Sequence, residues 1–212
     1  MPDIPLLQFR QLTKHFKNKI LFENLDYQLS SCGLYTLVGA NGAGKSTLLA
    51  MIAGMEPLSS GEIRVNGYSS RQKRHIAAEL AFVPDHTMAY PFITGREFLD
   101  FIASVRHLTP HSYSELIDDF GLNSFLDIQF QAMSFGTAKK FSLISALMAD
   151  VPILILDEPS HGLDAKSLQI LKEKLNEAAK NKMVLMTCHD LNMQQQMSTI
   201  FIDIAEFSLC RV

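Results

Sequence analysis

Apolar and polar positions alternate at strand spacing in two runs near the start of the chain, residues 6–12 and 20–29, with the polar turn Lys17-Asn18-Lys19 between them. That pattern predicts a hairpin. Residues 33–38, Gly-Leu-Tyr-Thr-Leu-Val, form a short β-prone run, and residues 46–55 are rich in helix formers with Gly54 near their end. Pro57-Leu58-Ser59-Ser60-Gly61 closes that helix, and residues 62–67 alternate with a period of two into another turn, as an edge strand should. Leu80-Ala81-Phe82-Val83 reads as a short buried strand stopped by Pro84. Over residues 96–108, Phe98, Phe101, Ile102, Val105 and Leu108 recur at intervals of three and four, which predicts an amphipathic helix. Residues 114–120 predict a second, and together they suggest a short helical insertion covering approximately residues 90–145. A further helix is expected from Ser134 to Ala149, followed by Pro152-Ile153-Leu154-Ile155-Leu156, an apolar run of the kind buried on both faces of a parallel sheet. Residues 166–180 predict a charged amphipathic helix and residues 183–187 another strand. Strand and helix alternating after an initial hairpin predict an α/β class with a mostly parallel sheet and an N-terminal antiparallel β subdomain.

Composition narrows the reading without redirecting it. At 212 residues, with no internal repeat or linker-like tract, a single domain over 1–212 is expected. A net charge of −3 gives no electrostatic reason to expect nucleic acid, and Arg71-Gln72-Lys73-Arg74-His75 reads as a solvated surface segment. Cys32, Cys188 and Cys210 are odd in number and lack metal-ligand spacing, which suits a reducing compartment. No apolar run approaches the ~20 residues of a membrane span, and Met-Pro-Asp-Ile-Pro is not the start of an export signal, so membrane association is expected through a partner.

Candidate chemistry begins at Gly39 to Thr47, which read G-A-N-G-A-G-K-S-T. This is a complete phosphate-binding loop, the Walker A pattern, placed between a predicted strand and a predicted helix as it must be. Backbone N–H groups can curl around phosphates only where Cβ atoms do not obstruct them, and the following helix turns its positive end to the anion. Gly39, Asn41, Gly42, Ala43, Gly44, Lys45, Ser46 and Thr47 are therefore the candidate nucleotide-binding residues, with Lys45 reaching the β and γ phosphates and Ser46 binding Mg2+. The fold class sharpens to a P-loop NTPase core. A second site is expected where the strand at 153–156 runs into Asp157-Glu158-Pro159, since open α/β sheets place ligands at the C-terminal ends of their strands. Adjacent residues leaving a strand point apart, so Asp157 can serve the metal while Glu158 acts as general base on an attacking water.

With these motifs in hand, the chain resembles the nucleotide-binding subunit of ATP-binding cassette (ABC) transporters from about residue 6 to about residue 204. The phosphate loop, the acidic strand, the D-loop at Ser160 to Asp164 and the switch histidine, His189 in Thr187-Cys188-His189-Asp190, stand in family order. The resemblance implies that Phe16 stacks on adenine and that His189 contacts the γ phosphate as a catalytic partner of Glu158 and Lys45. It also implies that Ser134 and Gly136 of the signature meet the nucleotide across a head-to-tail dimer, homomeric or heteromeric. ATP and Mg2+ are the implied cofactors. A separate membrane permease is the implied partner, and the cytoplasmic face of the cell membrane the implied location. The compact helical insertion is similar to those of drug-resistance and haem-exporter cassettes.

Two positions depart from the family pattern. Asp85 stands where the family has a glutamine after its strand; a carboxylate can ligate Mg2+ but cannot donate a hydrogen bond as an amide does. The signature Leu-Ser-Gly-Gly-Gln is here Met133-Ser134-Phe135-Gly136-Thr137, and a phenyl ring at 135 must either rotate away or hold a dimer apart. Slow hydrolysis with retained ATP binding is the expected result. A soluble ABC-type ATPase and a slow-turnover nucleotide sensor are the alternatives to a transporter subunit.

Overall fold

Two sheets divide the protein, and both are built from the runs that the apolar pattern marks. The computed structural model describes residues 4–16, 19–86, 90–109, 111–189, 197 and 199–208. The first sheet is antiparallel and holds β1 (Leu7–Phe16), β2 (Lys19–Leu29), β4 (Ser60–Val65) and β5 (Tyr68–Ser69) in the order β2-β1-β4-β5. Leu7, Phe9 and Leu12 of β1 and Ile63 and Val65 of β4 turn into a shared core. β1 continues to Phe16, past the end of its apolar run, because its polar second half still pairs with β2 as far as Phe16 opposite Lys19. β4 is not the edge strand that its alternation predicts. After the turn at Asn66 and Gly67, Tyr68 and Ser69 fold back beside Val65 and Arg64 and take the edge themselves.

The second sheet is parallel throughout and contains β6 (Leu80–Val83), β7 (Ile153–Leu156), β8 (Met183–Thr187), β3 (Gly33–Val38) and β9 (Ile200–Asp203) in the order β6-β7-β8-β3-β9. β7 and β8 are apolar on both faces because both faces are covered, whereas β9 at the edge leaves Ile200 and Phe201 exposed. In β7, Leu154 and Leu156 join one hydrophobic cluster with Phe141, Leu171 and Leu175, whereas Ile153 and Ile155 join another with Leu48, Leu49 and the antiparallel sheet. Helices α1 (Lys45–Ile52) and α6 (Ala165–Ala178) thus lie on opposite sides of one sheet. A short helix, α2 (Lys73–Glu79), occupies part of the stretch expected to be a solvated segment; only Ile76 is buried, so no apolar stripe announced it.

Between β6 and β7 the chain forms α3 (Gly95–Val105), α4 (Ser114–Phe120) and α5 (Phe135–Leu147). α3 opens with a capping box: the Thr94 hydroxyl accepts from the Glu97 N–H while the Glu97 carboxylate accepts from the Thr94 N–H. The stripe of large apolar residues does not define its buried face. Phe101 and Val105 are 60% and 57% exposed, and the buried face is Gly95, Leu99 and Ala103. Small residues let α3 approach α5 so closely that a Cβ on Gly95 would lie 2.4 Å from the Phe141 ring. No helix among the described residues is long and apolar enough to cross a membrane.

Candidate nucleotide site

The loop from Gly39 to Gly44 joins the end of β3 to α1, whose first residue is Lys45 and whose N-cap is Gly44. Gly44 has φ 103°, a left-handed conformation that glycine adopts freely, and an added Cβ would sit 3.1 Å from the Phe22 ring. The chain therefore turns sharply enough to aim the unpaired N–H groups of the first helical turn back along the loop. Lys45 is buried and curls over the loop, its Nζ donating to the Gly39 and Ala40 carbonyls at 2.7 and 3.2 Å. A second cation joins it: Lys19 Nζ donates to the Gly42 carbonyl at 2.8 Å. Sequence reasoning left Lys19 in a hairpin turn, and only its pairing opposite Phe16 brings it to the loop.

A cleft of about 440 Å3 opens beside the loop. Its walls carry Phe16, Lys19, Asn41, Gly42, Gly44, Lys45, Ser46, Thr47, Asp85, Glu158 and His189. Such a volume suits a small-molecule ligand. Gly39 and Ala43 contribute differently, Gly39 through its carbonyl bond to Lys45 and Ala43 by packing against the hydrophobic core. Phe16 is partly exposed, with the Lys14 ammonium 4.2 Å from its ring centroid.

The carboxylates follow from the end of β7. Asp157 is buried, and its Oδ1 accepts from Thr187 Oγ1 at 2.6 Å and from Ser46 Oγ at 3.1 Å. Its N–H donates to the Val83 carbonyl, so one residue ties β6, β7, β8 and α1 together. A hydroxyl on the helix that follows a phosphate loop, held against a carboxylate at the end of β7, makes a pair of hard oxygen donors of the sort that Mg2+ takes in nucleotide sites, and the residues fit that ion. Glu158 adopts φ 45°, a sparsely populated conformation for a residue with a Cβ. Its N–H donates to Thr187 Oγ1 at 2.9 Å, its Oε2 accepts from the His189 N–H at 3.1 Å, and its Oε1 lies 3.4 Å from His189 Nε2. Thr187 thus holds the Asp157 carboxylate and the Glu158 backbone, a role for which a threonine at a strand end gives no distinct signal.

Asp85 reaches the same cleft but is already engaged. His161 Nδ1 donates to its Oδ1 at 2.8 Å, and His86 Nε2 lies 3.7 Å from its Oδ2. Beneath it the fully buried Lys139 donates to the carbonyls of Pro84, Asp85 and Asp157 at 2.8, 2.9 and 3.1 Å. Burial pushes the Lys139 ammonium down to about 8, against the opposing pull of Asp85, Asp157 and Glu158. No motif of the sequence reading included Lys139.

Ser134 and Gly136 do not line the cleft that holds Lys45. Ser134 caps α5, its Oγ accepting from the Thr137 N–H and sharing a hydrogen bond with the Thr137 hydroxyl. Gly136 approaches the turn after β7 so closely that a Cβ would fall 2.3 Å from the Gly162 carbonyl oxygen. The Phe135 ring has rotated onto that turn, its centroid 5.0 Å from that of His161. A Cβ on Gly162 would strike the ring at 2.5 Å.

A parallel sheet with a phosphate loop at the end of β3 and acidic residues at the end of β7 defines a P-loop nucleotide-binding protein. Within that class the chain belongs to the ABC transporter family, whose model matches residues 22–161. It is 30% identical over 181 residues, 82% of the chain, to ATP-binding cassette sub-family A member 6 of Homo sapiens, and spans 11% of that protein's length. Over 94% of its length it superimposes, with a TM-score of 0.84 and 26% identity, on 86% of the structure of an ATP-binding subunit of an ABC transporter. A dimeric ATP-binding cassette in a post-hydrolysis state, bound to ADP and Pi, shares the fold at a TM-score of 0.80 and 19% identity, over 93% of this chain and 94% of that one. The chain thus carries a cassette domain of the ABC transporter family.

Proposed function

We propose that this cassette binds and hydrolyses ATP as one half of a dimer, homomeric or heteromeric, and drives a membrane permease from the cytoplasmic face of the cell membrane. The observation that carries the reading is the meeting of Ser46 Oγ and Asp157 Oδ1 at 3.1 Å, since it joins the phosphate loop to the acidic strand end at one point. Lys45 leaves the Gly39 and Ala40 carbonyls and pairs with the β and γ phosphates, while Asn41 to Gly44 and Thr47 surround them with the loop backbone. Phe16 receives the adenine ring. Ser46, Asp157 and, once released from its imidazole partner, Asp85 would hold Mg2+, which would supply charge neutralisation at the phosphates. Glu158 takes a proton from the attacking water, and His189, in contact with it, binds the γ phosphate. Ser134 and Gly136 serve the nucleotide of the other half of the dimer. Their position outside this chain's own cleft supports that arrangement.

Turnover is expected to be slow, because Phe135 occupies the surface that a second subunit would approach. The same observation favours a second reading, a nucleotide sensor that binds and barely hydrolyses. Phosphate release measured on the purified chain and on the chain with its co-purified membrane partner separates the two. A transporter subunit shows partner-stimulated release that Glu158→Gln lowers at least ~100-fold. Binding without stimulated release would favour the sensor, and failure to bind ATP would overturn both.

A further inference from the structure

The two departures from the family pattern, Asp85 and Phe135, are one structural feature, because His161 holds both. His161 lies in the turn after β7, its Nδ1 2.8 Å from Asp85 Oδ1 and its ring centroid 5.0 Å from that of Phe135. His86 closes the group, with Nε2 3.7 Å from Asp85 Oδ2 and its ring 6.2 Å from Phe135 and 6.5 Å from His161. Both oxygens of Asp85 therefore have an imidazole beside them. Below, Lys139 fixes the backbone on both sides through the carbonyls of Pro84, Asp85 and Asp157, so the freedom that remains is in the side chains. Phe135 in turn limits the room for His161, since its ring fills the space over Gly162.

Asp85 shares its cleft with Lys45, Ser46 and Glu158, where a carboxylate is a hard donor for a divalent ion. The oxygen bound by His161 can take a metal only by giving up that hydrogen bond. We propose that His161 is a positioning residue that clasps Asp85 away from the metal of the nucleotide site, with Phe135 backing the clasp, so that the Asp85–His161 bond must open before the metal shell is complete. This rests on the reading of the cleft as an Mg-ATP site.

The test is metal affinity without turnover. Mn2+ is titrated into the purified chain with saturating ATP, free Mn2+ being read by electron paramagnetic resonance, while ATP binding is measured separately in EDTA. His161→Ala is expected to tighten Mn2+ about fivefold, the equivalent of losing one hydrogen bond worth ~1 kcal/mol, and to leave metal-free ATP binding unchanged. His161→Asn, whose amide can donate to the carboxylate, is expected to behave as wild type. On an Asp85→Ala background, which leaves no oxygen to accept from His161, the same His161→Ala change is expected to have no effect, as a double-mutant cycle requires of a direct coupling. Phe135→Ala removes the ring that backs His161 while leaving the Asp85–His161 pair itself in place, and is expected to tighten Mn2+ in the same direction. His161 is 55% exposed, so its removal should spare the fold. A His161→Ala chain whose Mn2+ affinity stays within about twofold of wild type overturns the proposal. So does a shift that persists without Asp85, or one matched by an equal change in metal-free ATP binding. If the wild-type chain binds no ATP at all, the nucleotide-site reading falls and takes this one with it; normal ATP binding with an unmoved Mn2+ affinity removes the clasp alone.

Discussion

Glu158 combines two demands at a single Cα. Its side chain must reach His189, and its backbone must leave β7 with φ 45°, a conformation in which a Cβ crowds the neighbouring carbonyl. The conformation is imposed from outside, by the Thr187 hydroxyl that fixes its N–H and by the tight turn through His161 and Gly162 that follows. Glycine at 158 should relieve that crowding. Glu158→Gly is therefore expected to be more stable than Glu158→Ala by about 1 kcal/mol, although both lose the carboxylate. Comparing the two alanine and glycine variants, rather than either with wild type, cancels the lost contact to His189. Urea unfolding with equal m-values checks it, and an alanine variant as stable as the glycine one would mean that the backbone there is unstrained.

Among the elements, α3 shows how a correct pattern can point to the wrong face. Phe98, Phe101, Ile102, Val105 and Leu108 do repeat at helical spacing, yet Phe101 and Val105 face outward because contact with α5 is made by Gly95, Leu99 and Ala103. Hydrophobic periodicity weighs large side chains, whereas close helix contact is set by small ones. Gly95→Ala is expected to cost about 2 kcal/mol of stability through overpacking against Phe141, part of it regained by adding Phe141→Leu. A neutral Gly95→Ala in thermal unfolding would show that α3 can shift aside. The strands were more legible. β7 and β8 are continuous apolar runs because covered parallel strands have no polar face to reveal, and the phosphate loop could be read because its glycines answer a local backbone requirement. β4 was misplaced at an edge since β5 is only two residues long, too short to leave an alternating signature. Lys19, Thr187 and Lys139 were missed for a related reason: each acts through a partner distant in sequence, and nothing near it in the chain marks the bond.

At the scale of the whole molecule, Lys139 is a polar tie between the helical region and the parallel sheet, beside the apolar cluster of Phe141 with Leu154 and Leu156. It belongs to α5, and it binds carbonyls that follow β6 and β7. Removing it by Lys139→Met strands three acceptors and is expected to cost ~3 kcal/mol at neutral pH. The cost also has a pH signature. With its folded value near 8 and its ordinary value at 10.5, the unfolded chain keeps a proton in that interval that the folded chain has lost. Stability from this group therefore rises with pH from about 8 to 10.5 and is complete above it. Unfolding of wild type and Lys139→Met across pH 7 to 10 should show the gap between them widening over that window, and a constant gap would mean that the buried amine does not titrate there.

The same three hydrogen bonds limit how this cassette can move. Ser134 and Gly136 begin the helix that carries Lys139, and Asp157 offers one of the carbonyls that Lys139 binds. A tilt of α5 cannot be absorbed as bending between these points, because a fully buried ammonium that gives up its carbonyl partners has no solvent to replace them. A push delivered to the helical region would thus reach Asp157 as displacement, and a shift of Asp157 would be returned to the start of α5. In that linkage Lys139 is the polar pin.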